Sequence, residues 1–289
     1  MEIEDLIKAI KLIEIKSRKK IGGNLSSSYR NLFKGKGLSF SGVREYSYGD
    51  DVRLIEWNSS ARMNSLYVKD LLEERELNVY VALDISGSMF MGSGSRNKFE
   101  VGAIIATMIL FSAIYNGDRC SLILFGGDEF YFSNFARRAE EVFPFLKKII
   151  EFHGEKRLRR DNFSDLFFFL TKKVRKRGIL FLISDFIYSE LEAQFFSVIS
   201  KIYEVVCIGV LDKVELDLPE GYFFSFFDPE REMVGKAFVK EEDRKVYSEL
   251  VRERINYFKS RFNVLGIRGD FLLVSERSEI DFMELLFGK

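Results

Sequence analysis

The turn Asp84-Ile85-Ser86-Gly87-Ser88 carries one carboxylate and two hydroxyls at a spacing of two, which directs all three side chains to one side. Oxygen donors of this kind suit a hard divalent cation, and Mg2+ accepts few carboxylates when water completes its octahedron. Two later stretches bring the same donor types, Asn162-Phe163-Ser164-Asp165-Leu166 and Ser184-Asp185-Phe186. With Ser164 and Asp185 added, three hydroxyls and two acids are available around one point. A position left open on the ion is where a carboxylate from a partner could bind. The competing assignment needs no metal: Asp84 and Ser86 cap the helix that begins near Asn97, and Ser164 caps its own helix.

Other chemistries fail by absence. A phosphoaspartyl phosphatase requires a second acid two residues after Asp84, where Ser86 stands. A dinucleotide site requires G-x-G-x-x-G straight after the strand, but Gly92-Ser93-Gly94 comes late and Asn97 takes the third glycine's place. No G-x-x-x-x-G-K-[ST] loop occurs. A serine hydrolase would depend on His153, the only histidine, and no G-x-S-x-G elbow surrounds Ser86 or Ser88. A lone imidazole also excludes H-E-x-x-H zinc chemistry. His153 reads as a surface or helix-end residue. A metal-dependent phosphohydrolase using Asp84 and Asp185 is the rival in the enzyme class, and no lysine or general base is placed beside it by sequence. The case for catalysis is weak, and a non-enzymatic binding role is expected.

The elements that must hold these loops alternate. Apolar runs at 77–83, 121–125, 179–183 and 205–211 are separated by helical patterns at 98–115, 137–152, 164–176 and 191–202. Near-continuous apolar runs between helices predict a mostly parallel sheet covered on both faces, a doubly wound α/β fold whose ligands bind beyond the strand carboxyl ends. Pro144 should start a helix or kink one. Before this core, residues 3–20 show helical spacing of Ile3, Leu6, Ile7, Ile10 and Ile13. Gly22-Gly23 to Ser28 reads as a linker, and the polar stretch 29–76 contains a short strand at 65–69. After the core come strand material at 222–227 and 236–239, a helix at 243–262, a run at 271–274 and a short terminal helix. The expected organisation is 1–76, 77–213 and 214–289, the last an α/β extension packing on the core.

Asp84, Ser86 and Ser88 match without departure the first motif of the von Willebrand factor type A domain, whose metal-ion-dependent adhesion site is built on D-x-S-x-S plus a Thr and an Asp from two later loops. Asp185 matches the last ligand; Ser164 stands where Thr is usual, keeping the hydroxyl and losing the methyl. The segments Gly35-Lys36-Gly37-Leu38-Ser39-Phe40, Val43-Arg44-Glu45-Tyr46, Gly49-Asp50-Asp51-Val52-Arg53, Ile55-Glu56-Trp57, Ser60-Ala61-Arg62 and Leu66-Tyr67-Val68-Lys69 together resemble the DUF58 family. Glu56 stands where Asp is common. That resemblance implies a type A-like fold and a metal site of Asp84, Ser86, Ser88, Ser164 and Asp185 holding Mg2+, with Mn2+ or Ca2+ also possible. It also implies a partner, either a MoxR-type AAA+ ATPase or its client, for which the chain acts as adaptor or co-chaperone. A degenerate, metal-free interaction domain is the further alternative.

The segment 44–62 has its own physical reading. Acids Glu45, Asp50, Asp51 and Glu56 with Arg44, Arg53 and Arg62 around Tyr46 and Trp57 can form a bidentate ion-pair network, or a partner-docking surface tested at Trp57. Acids and bases balance over the chain, which argues against a globally basic nucleic-acid binder. The basic run 172–177 reads as a solvated helix end, and neither it nor the run 156–160 carries a motif for reading bases. Phe167-Phe168-Phe169 cannot all face one way on a helix; an exposed member would mark an interface. Cys120 and Cys207 lie in apolar strands as reduced core residues. The most apolar run, 101–115, falls short of the about 18 residues that cross a bilayer. With an acidic amino-terminal stretch in place of a basic signal, the expectation is a short soluble form in the cytoplasm, with no integral membrane segment.

Overall fold

The structure is a computed structural model. It describes residues 43–50, 52, 55–69, 76–126, 130–154, 163–174, 176–186, 192–216, 218, 223–228, 233–238, 241–275, 278 and 280–282. The helix expected over 3–20, the linker at 22–28, the motif at 35–40, Asp51, Arg53 and the basic run 156–160 lie outside them. Two compact units are present, one within Lys34–Glu76 and one that includes Leu77–Lys289.

In the smaller unit, β1 (Val43–Glu45) pairs antiparallel with β2 (Tyr67–Lys69), and α1 (Trp57–Met63) lies between them in sequence. The polar composition of 29–76 concealed both β1 and α1. Buried Ser60 ties α1 to β2: its hydroxyl donates to the Glu56 carbonyl and accepts from Tyr67 N–H, both at 2.8 Å. Arg44 grips Asp50 with two parallel bonds of 2.7 and 2.6 Å. With Ser47 N–H also donating, the Asp50 carboxyl is held down at about 2. The Arg44–Asp50 pair is one member of the expected ion-pair network. Trp57 is 67% exposed, and Arg62 is exposed as well.

The larger unit is built on a six-stranded sheet in the order β10-β7-β6-β3-β4-β5. Its strands are β3 (Asn78–Asp84), β4 (Arg119–Phe125), β5 (Tyr131–Phe132), β6 (Ile179–Ser184), β7 (Glu204–Leu211) and β10 (Arg268–Leu273). All neighbouring pairs are parallel except β4 with β5. The mixed α/β fold with a mostly parallel sheet is therefore as expected. Its edge strand β10 comes from within 214–289, so that segment completes the sheet. The antiparallel hairpin of β8 (Phe223–Asp228) and β9 (Met233–Phe238) forms separately.

The absence of polar alternation in the central strands has a direct cause, since both faces are buried. Val79, Val81 and Leu83 of β3 face one core with α2 (Lys98–Tyr115) and α3 (Ala139–Gly154). Tyr80 and Ala82 face the other with α4 (Phe163–Phe168), α5 (Glu192–Ile202) and α7 (Glu241–Leu265). Helix α2 is buried from Lys98 to Ala113. Contrary to the expectation from its apolar run, it is long and apolar enough to cross a membrane, yet it is the central helix of this core. Pro144 lies inside a continuous α3, and His153 falls in that helix's last turn. Both cysteines are buried, and burial raises the Cys120 thiol to about 12, so neither should react with a thiol reagent until the protein unfolds.

Close backbone approach fixes the entry to β6. A Cβ on Gly178 would lie 2.1 Å from the Asn78 carbonyl oxygen. Gly178→Ala is expected to lower stability in urea unfolding by about 1–3 kcal/mol, because the neighbouring atom is backbone and cannot swing aside.

Candidate functional site

The strand order reverses between β3 and β6, since β4 lies on one side of β3 and β6 on the other. Ligands of doubly wound sheets bind at such a switch, outside the carboxyl ends. Asp84 ends β3 and Asp185 follows β6, and the register Leu83↔Ile183 brings the two loops side by side. Ser184 completes the junction: its hydroxyl donates to Asp84 Oδ2 at 2.6 Å. Ser86 N–H donates to Asp84 Oδ1 at 2.8 Å, and the Ser86 and Ser88 hydroxyls are 3.2 Å apart. Asp84, Ser86, Ser88 and Asp185 are all buried.

Burial first, and the charge of Asp185 second, push the Asp84 carboxyl up to about 7 against the hydrogen bonds from Ser184 and Ser86. The cap assignment fails for the first loop. Asn97 itself caps α2 in a reciprocal capping box with Glu100, and Asp84 is turned onto its own loop.

Ser164 differs from the other four. It is exposed, in the first turn of α4, which opens at Phe163, and so does not cap that helix. Its neighbour Phe163 packs edge-on against Phe125 at 5.0 Å, and Phe125 pairs in register with Asp84. The chain thus brings α4 to the same strand end.

Several participants escaped sequence reasoning. Lys98, the first residue of α2, is fully buried; its Nζ lies 2.7 Å from Asp185 Oδ2 and also pairs with Glu215. Burial alone would lower the lysine's pKa, but the two carboxylates outweigh it and hold the ammonium charged. Glu215 belongs to α6 (Lys213–Leu216), which Asp212 caps through Val214 N–H at 2.9 Å. Asp212 also takes the Ser93 N–H at 2.9 Å and the Ser93 hydroxyl, tying the loop after Ser88 to the end of β7. Gly126 has φ +111°, and a Cβ there would sit 2.7 Å from Ser86 N. Phe186, beside Asp185, has φ +54°. Arg254 of α7 holds its carbonyl with bonds of 3.0 and 2.6 Å, and its ring packs between Phe258 and Phe262. A signal existed for two of these: a lysine at the start of an apolar helix opposes the helix dipole, and Gly126-Gly127 directly follows a strand run.

Among the described residues no group of three or more His, Cys, Asp or Glu side chains is arranged to hold a metal. Any ion here would depend on the hydroxyls.

Residues 42–256 match the family described as "Protein of unknown function DUF58". The chain belongs to the DUF58 family. An uncharacterized protein of Mycobacterium tuberculosis is 25% identical over 221 residues, covering 76% of this chain and 70% of the relative. Among solved structures, the conserved hypothetical protein BatB from Bacteroides thetaiotaomicron shares 16% identity at a TM-score of 0.47, over 73% of this DUF58 chain and 97% of its own. An aerotolerance-related membrane protein from Bacteroides fragilis shares 14% at 0.41, over 73% and 98%. Against the cytoplasmic location expected from the sequence stands a structural neighbour named as a membrane protein, and that location does not hold.

Proposed function

We propose that this DUF58 protein is a metal-dependent protein-interaction module with a type A-like adhesion site. Asp84, Ser86, Ser88 and Asp185 would hold a divalent cation, Mg2+ before Mn2+ or Ca2+, directly or through water, with Ser164 entering from α4. The observation that carries the reading is the pair of buried acids at the switch point. Asp84 is held at about 7 by burial and by Asp185, and its hydrogen-bond donors, Ser184 and Ser86, are not cations. A hard ion beside hydroxyls and carboxylates relieves that charge. Once bound, such an ion offers an open position to an acidic side chain of a partner. By family resemblance that partner is a MoxR-type AAA+ ATPase or its client, with this chain as adaptor.

Calorimetric titration with Mg2+ and Mn2+ tests the metal. Wild type should bind, and Ser86→Ala/Ser88→Ala should lose at least tenfold in affinity with an unchanged circular dichroism spectrum. Equal affinity in the two proteins would sink the site as drawn. A pull-down with and without chelator then tests the partner.

One observation favours the phosphohydrolase reading: Lys98 is the lysine beside Asp185 that the sequence did not place. It is nonetheless fully buried and engaged by two acids. Hydrolysis of phosphate esters that disappears with Asp84→Ala would reverse the preference.

A further inference from the structure

At the end of α4 the chain enters a π turn at Phe169–Lys173, closed by Val174 N–H donating to the Phe169 carbonyl at 3.1 Å. The wider turn separates the three consecutive phenylalanines. Leu170 is buried and Phe167 and Phe169 are half-buried, but Phe168 is 56% exposed. The Phe169 ring lies 4.5 Å from that of Phe132, which is 37% exposed on the edge strand β5. Phe169 and Phe132 thus form an apolar contact at the rim of the sheet, and the exposed Phe168 immediately precedes Phe169 in the chain.

Cations follow this surface. Lys172 and Lys173 come four and five residues after Phe168, one turn further in either α or π geometry, and Lys176 and Arg177 follow; all four are exposed. None of them forms an ion pair with another described residue. Residues 163–178 contain Asp165 as their sole acid against Lys172, Lys173, Arg175, Lys176 and Arg177. The end of this stretch is pinned to β3: Tyr80 OH donates to the Lys176 carbonyl at 2.9 Å and Asn78 Nδ2 to the Arg177 carbonyl at 2.7 Å. The cations are thus displayed from an anchored backbone.

We propose that this surface docks on an anionic phospholipid bilayer, with Phe168 entering the headgroup layer and the cations beginning at Lys172 and Lys173 meeting lipid phosphates. An exposed aromatic ring flanked by lysines is the composition of an interfacial anchor, apolar body inward and charge at the headgroups. Anionic lipid attracts each nearby cation, and the attraction fades within a Debye length.

Co-sedimentation of the full chain with vesicles of phosphatidylcholine alone, or with about a third phosphatidylserine, tests this docking. Wild type should sediment with the anionic vesicles, and salt should release it. Lys172→Glu/Lys173→Glu should weaken binding by at least tenfold, since each cation contributes roughly fivefold. Phe168→Ala should weaken it by several-fold at unchanged charge; both variants alter exposed side chains and should melt as wild type does. Failure to bind anionic vesicles, or binding that both variants retain in full, overturns the proposal. So does retention by duplex DNA or RNA that outcompetes vesicles and is indifferent to Phe168→Ala. Chelator should have no effect, which separates this surface from the metal site.

Discussion

Lys98→Met is expected to lower the stability of the larger unit by about 3–5 kcal/mol, the usual cost of breaking a buried ion pair from one side. Methionine nearly conserves volume and reach, so the loss reports charge and not a cavity. The ammonium has no exposed surface and lies between Asp185 and Glu215. Without it, two acids drawn from the loop after β6 and from α6 lose the buried ammonium they share. Thermal melting in chelator should show a fall of roughly 6–20 °C at the usual 2–4 °C per kcal/mol for a unit of this size. Mg2+ should restore more of the melting temperature in the variant than it adds to wild type, because the cluster lacks its internal cation. A variant as stable as wild type, with no enhanced response to Mg2+, would show that Lys98 is not the charge that holds these loops together.

The contrast between what was legible and what was not follows from the range of the interactions involved. Apolar runs over β3, β4, β6 and β7 announce themselves because each strand is buried on both faces, a local property of composition. Helix α2 was readable to its ends for the same reason. Asp84, Ser86, Ser88 and Asp185 could be picked out as candidates because a two-residue spacing on one turn, or an acid just past a strand, is also local. Lys98 and Glu215 were missed because their meaning lies in a contact across 117 residues of chain. Lys98 in sequence is one cation among many. Strand β10 was assigned to a C-terminal extension since sheet order is not written in any one segment. In the smaller unit, α1 is seven residues with exposed Trp57 and Met63 and so lacks the apolar face that gives a helix away. Ser164 marks a different limit: matching its residue type to a motif does not decide whether its side chain is turned inward, and here it is exposed.

Asp84→Asn should abolish the response to Mg2+ while raising the stability of the metal-free protein at alkaline pH. The folded-state carboxyl sits near 7, against 3.8 for an ordinary aspartate, because burial and Asp185 disfavour its charge. Between those two values the folded protein holds a proton that the unfolded chain has released, so stability falls as pH rises through the window and levels off above about 7. Asparagine cannot ionise, and its amide oxygen still accepts from Ser184 or Ser86. In chelator, the melting temperature of wild type minus that of the variant should therefore fall from pH 5 to pH 8, where the variant becomes the more stable. A bound divalent cation competes with that proton, so Mg2+ should flatten the wild-type slope and add about 2.7 kcal/mol at a hundredfold excess over Kd. The variant should gain little at any pH. If both proteins gained equally from Mg2+, the ion would be bound elsewhere, and the acids at the switch point would be a buried structural cluster that includes Lys98.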